Sequence, residues 1–82
     1  MSKALDYEAE DLISSAALFC HVFDRCILEG KDIGSETRAL APQLLDKMRA
    51  VRKQEPSQKL YEALGDGILD LSRAIKLEAV KL

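Results

Sequence analysis

Residues 12–28 read Leu-Ile-Ser-Ser-Ala-Ala-Leu-Phe-Cys-His-Val-Phe-Asp-Arg-Cys-Ile-Leu, and the spacing of their apolar members decides the fold class. Wound at about 100° per residue, the stretch gathers Leu12, Ile13, Ala16, Phe19, Cys20, Phe23, Cys26 and Ile27 on one broad face. Leu18 and Val22 fall beyond the edge of that face. An apolar arc this wide is more than one neighbouring helix covers. The helix is therefore expected to be central, touched on one side by its own chain and on the other by a second chain.

Working outward, Ser2 or Asp6 is a suitable cap for this helix, and Gly30 closes it, giving a span of about residues 4–29. The connection Lys31-Asp32-Ile33-Gly34-Ser35 is short, and short connections make antiparallel neighbours. Ser35 is a candidate cap for a second helix over about residues 36–54. Pro42 lies inside it, removes one backbone bond and crowds the carbonyl of Arg38, so a kink or a break is expected there. Leu40, Leu44, Leu45, Met48 and Val51 form its inward stripe. Pro56 ends the segment, and Ser57 caps a third helix over about residues 57–82. Leu60, Leu64, Ile68, Leu71, Ile75 and Leu82 share its face, flanked by Tyr61 and Ala79. Gly65 and Gly67 could split this helix at about 1 kcal/mol each against alanine, but the apolar phase passes through both without slipping. The expected fold is all-α: an antiparallel three-helix bundle in a single domain, residues 1–82.

The 82 residues leave room for one core only. A chain this short buries about 60% of its unfolded surface, and association is the expected source of further burial. Cys20 and Cys26 point about 120° apart on a helix, so they cannot bridge within it. Free thiols imply a reducing compartment. The N-terminus, Met-Ser-Lys-Ala-Leu-Asp-Tyr-Glu, is acidic where a secretory signal would be basic and then apolar. No apolar run reaches the length of a membrane span. A cytoplasmic protein that does not enter membranes is expected.

Catalytic and metal chemistry find little support in the residue pattern. Zinc needs about four converging ligands; Cys20 and Asp24 are helical neighbours, but His21 is on the polar side and Cys26 faces elsewhere. Cys20 and His21, adjacent on a helix, diverge too far for a nucleophile and its base. Leu64-Gly65-Asp66-Gly67 lacks the strand and the spacing of a phosphate loop. Asp66 and Asp70 lack the further oxygen ligands that calcium takes. No enzyme, cofactor or metal site is expected, and a small helical enzyme is the remote alternative.

What remains is surface. Leu69, Leu77 and Val80 lie around Arg73 on the third helix, opposite its inward stripe, and with Leu18 and Val22 they form the candidate interface for a homodimer or a foreign protein. On the second helix Arg38, Arg49, Arg52 and Lys53 fall within about 100° of arc beside the apolar stripe, followed by Lys59. The formal net charge is -2, which gives no global attraction to nucleic acid. Arginines beside an apolar stripe suit protein interfaces. The expected function is that of a small non-catalytic regulator, adaptor or inhibitor that binds another protein, with Arg49, Arg52 and Lys53 steering the partner. A nucleic-acid-binding regulator using the Arg38/Arg49/Arg52/Lys53 stripe is the alternative.

Overall fold

The structure, a computed structural model, describes the backbone of residues 3–81 and the side chains of residues 3–77. The side chains of Ala79, Val80 and Leu82 therefore lie outside the described residues. Three helices account for nearly all of it: α1 (Lys3–Glu29), α2 (Ser35–Lys53) and α3 (Gln58–Lys81). No strand occurs among the described residues. Every helix touches both others. The principal extents are 44 × 19 × 16 Å, and the long one matches the roughly 40 Å length of a helix the size of α1.

Along α1, Ala9, Ala16 and Phe23 are fully buried. They recur every seventh residue and mark the centre of the apolar arc. Leu12, Ile13, Phe19, Cys20 and Cys26 flank that line and are half-buried against the same cluster. Two helices of the same chain, α2 and α3, meet α1 along this arc. Ile27, assigned to the inward face, is 39% exposed near the helix end. Gly30 closes α1 as expected, at φ 66°. The N–H of Lys31 reaches the carbonyl of Cys26 at 2.9 Å and that of Gly30 reaches Ile27 at 3.3 Å. This pair of reversed bonds needs a left-handed residue between helix and loop.

In α2 three expectations are corrected. Ser35 is the first helical residue, not the cap; Gly34 caps at φ 89° with no side-chain bond, and its carbonyl accepts the N–H of Arg38. The helix continues through Pro42 without a break, because proline's φ is itself helical and Ala41, Leu44, Met48 and Val51 stay in phase in the core on both sides of it. Leu40 is 50% exposed, and the small Ala41 takes its inward place.

The turn into α3 is tied down from a distance. Asp6 lies in the first turn of α1, and its carboxylate accepts the backbone N–H of Ser57 at 3.1 Å. It thus serves the start of α3 rather than capping α1. The carbonyl of Ser57 accepts from Tyr61 at 2.8 Å, so Ser57 caps through its backbone. Before it, Glu55 sits at φ 57° and its N–H bonds the carbonyl of Arg52. This is the left-handed helix-end position that glycine prefers, and Pro56, with no N–H, cannot add the second bond.

Helix α3 is unbroken through both glycines, and their reasons are steric. A Cβ at Gly67 would stand 2.8 Å from the Cε of Met48, which is fully buried, and one at Gly65 would meet the guanidinium of Arg52 at 3.0–3.3 Å. Leu64, Leu71 and Ala74 are buried, with Leu60, Ile68 and Ile75 half-buried beside them. Each fully buried Leu, Met or Phe contributes about 2–3 kcal/mol.

Two substitutions test this account by urea unfolding. Asp6→Ala removes the acceptor for Ser57 and should destabilise by about 1 kcal/mol. Glu55→Gly relieves the left-handed strain and should stabilise by about 0.5–1 kcal/mol.

Candidate protein-binding surface

The basic residues of α2 do not act as one stripe. Arg38, near the start of the helix, pairs with Asp32 at 2.6 Å. Arg49, Arg52 and Lys53, about three turns further on, converge on the groove between α2 and α3. There Arg52 is half-buried, its guanidinium 4.0 Å from the centre of the Tyr61 ring, and its Nε donates to the Tyr61 carbonyl at 3.2 Å. Gly65 leaves room for the guanidinium to lie on the helix. Stacking and the bond to the carbonyl fix the side chain in one geometry, and its remaining donors stay available.

Around Arg52 the groove widens into two adjoining hollows. One of about 580 Å³ is lined by Arg52, Glu62, Gly65, Asp66, Ile68 and Leu69. The other, about 350 Å³, is lined by Arg49, Arg52, Lys53, Glu55, Tyr61 and Ile68. The cations thus share the groove with an apolar floor and with three carboxylates. Sequence reading missed those carboxylates, since the pattern of one helix does not show which residues of the next come alongside it.

A second groove runs between α1 and α3. Its upper part, about 240 Å³, is walled by small residues, among them Ala17, Ala63 and Gly67. Its lower part, about 220 Å³, holds Cys20, Asp24, Asp70, Arg73 and Leu77. The small side chains leave this part of the interface open, whereas Ala74 further along α3 is buried. Burial pushes the Cys20 thiol up from its ordinary value, and the nearby carboxylates of Asp70 and Asp24 add to the rise. A thiol so placed is a poor nucleophile. His21 is exposed. Among the described residues no three His, Cys, Asp or Glu side chains gather as metal ligands do, and none of the described helices is long and apolar enough to cross a membrane.

The candidate interface residues are dispersed. Leu18 and Leu69 are 64% and 65% exposed and Leu77 is 50% exposed, Arg73 is exposed and Val22 is half-buried. Leu69 stands at the lip of the α2–α3 groove and Leu77 in the α1–α3 groove. Leu18 lines neither. Tyr7 and Leu28 are exposed as well, and the sequence pattern assigned neither to a surface.

Compared with protein-family models, with curated proteins and with solved structures, the chain matches none.

The placement of Cys20 has a measurable consequence. In a Cys26→Ser background at pH 7.5, maleimide labelling of Cys20 should run about tenfold slower than that of an exposed thiol. A raised thiol pKa means less thiolate at a given pH, so labelling should go on climbing with pH after that of an exposed thiol has levelled off, and Asp70→Asn should accelerate it.

Proposed function

We propose that this chain is a small non-catalytic regulator, an adaptor or inhibitor, that binds another protein through the α2–α3 groove. The observation that carries the reading is Arg52, stacked on Tyr61 and bonded to its carbonyl, set between an apolar floor and the exposed Arg49 and Lys53. A pre-ordered arginine beside apolar area is what protein interfaces concentrate on, because little entropy is lost when it pairs. The matching partner surface presents a carboxylate next to an apolar side chain. Exposed Leu69 at the lip extends the apolar contact, and the lysine and arginine at the rim add steering.

Three further elements belong to this reading: an up-down-up course with α2 antiparallel to its neighbours, a homodimeric state and a cytoplasmic setting. The first is supported by the contacts, since Arg52 meets Tyr61 and Gly65 while Met48, earlier in α2, meets the later Gly67. Free half-buried thiols support the last. Nucleic acid is the weaker reading of the same cations, because Glu55, Glu62 and Asp66 line the same hollows and would repel a phosphate backbone.

The test is paired affinity capture from the native cell with wild type and the Arg49→Glu/Lys53→Glu variant, scored by quantitative mass spectrometry. Both substituted residues are exposed, so the fold should persist. A protein captured by wild type should fall at least about tenfold with the variant. Identical captures would overturn the assignment of the groove, and retention of wild type on heparin at physiological salt would move the reading to nucleic acid.

A further inference from the structure

The outward ridge of α3 borders the α2–α3 groove and shares Glu62, Asp66 and Leu69 with it. Glu62, Asp66, Leu69, Arg73 and Lys76 are all exposed, and they follow one another at steps of four, three, four and three residues. That spacing places all five on one narrow stripe of the helix. Polarity changes along it: two carboxylates, then a leucine, then two cations. Within the ridge itself the arrangement is unfavourable, since Glu62 and Asp66 are like charges at i,i+4, and Arg73 and Lys76 are like charges at i,i+3; beside the ridge, exposed Asp70 stands three residues before Arg73. Among the described residues, Asp66, Arg73 and Lys76 enter no ion pair. Glu62 has only an exposed bond from Gln58.

From this arrangement we infer that the occupant of the ridge is a second copy of the chain, packed α3 against α3 in opposite directions about a two-fold axis at Leu69. Glu62 and Lys76 stand seven positions either side of Leu69, and Asp66 and Arg73 stand three and four. Reversal about Leu69 therefore sets Glu62 against Lys76 of the second copy, Asp66 against its Arg73, and the two leucines against each other. A two-fold interface must be self-complementary in this way. Parallel pairing would set carboxylate against carboxylate and cation against cation, and is excluded by repulsion. A foreign partner would need the same reversed order of charges, which the chain already supplies itself. One helix pair centred on one leucine from each chain buries less than a standard interface of about 1,600 Å², so the dimer is weak and concentration-dependent. This inference rests on the reading that the surplus leucines are contact surface, and it specifies which of them serves self-association.

Sedimentation equilibrium from about 10 µM to 1 mM tests it. Wild type should rise with concentration from one chain mass toward two, and Leu69→Glu should stay at one with its helical circular dichroism unchanged. Asp66→Arg and Arg73→Asp should each weaken association about tenfold or more. The double variant Asp66→Arg/Arg73→Asp should return it to within about threefold of wild type, because each copy then offers the other both swapped charges. Leu18→Glu should leave it unchanged. A chain that stays monomeric at 1 mM, a Leu69→Glu variant that associates like wild type, or a double variant no better than the singles would overturn the inference. The capture test substitutes Arg49 and Lys53, which stand outside the ridge, so either reading can fail without the other.

Discussion

The whole packing turns on the missing side chain at position 67. Met48 of α2 is fully buried with its Cε 2.8 Å from where a Cβ of Gly67 would stand, and the Cβ of Ala16 in α1 lies 4.0 Å from the same point. All three helices meet there, and each contributes a residue that is small or that bends. A glycine inside a helix costs about 1 kcal/mol, which the close approach of a buried methionine offsets through contacts that a larger residue would forbid. Small residues occupy the core elsewhere too: among the described residues Ala9, Ala16, Ala41 and Ala74 are buried.

Much of this was legible in the chain because helical phase is a property of residue order alone. The ends of α1, the stop at Pro56, and the inward Leu64, Leu71, Met48 and Val51 follow from periodicity and from turn chemistry. The failures have a common cause. Leu40 is more hydrophobic than Ala41, so a pattern ranks it inward, but the core selects by shape where helices approach closely. Asp6 is a plausible cap for the helix it belongs to, and only tertiary proximity makes Ser57 its partner. Pro42 does not break α2, since the in-phase core on both sides holds the helix together. For the surface, the cations of the groove could be read along α2, but Glu55, Glu62 and Asp66 beside them could not.

Charge is arranged differently on the two sides of α3. In the groove toward α2, Arg52 is held by an aromatic ring and a carbonyl of the chain itself, so its direction is set before any partner arrives. Along the outer ridge nothing comparable holds Asp66, Arg73 or Lys76, and their order by sign carries the information. A fixed arginine suits recognition of a particular geometry, whereas loosely held charges in alternating blocks select register and orientation at little gain in affinity. The first kind of surface fits a specific foreign partner and the second a weak contact between copies.

Leu69 belongs to both surfaces. It forms the lip of the α2–α3 groove and the centre of the ridge, and Asp66 likewise lines the groove while sitting in the seam. On the proposed readings, a partner that covers the groove as far as Leu69 removes the leucine on which self-association depends. The proposed dimer would in turn close the outer edge of the groove. By linkage the two events oppose each other to the same extent in either direction. Because the contact between copies is small, the opposition is modest and is felt only where the chain is concentrated. The surplus apolar surface of α3 then needs no second core to explain it: one exposed leucine, shared between two partners, couples the amount of chain present to its availability for binding.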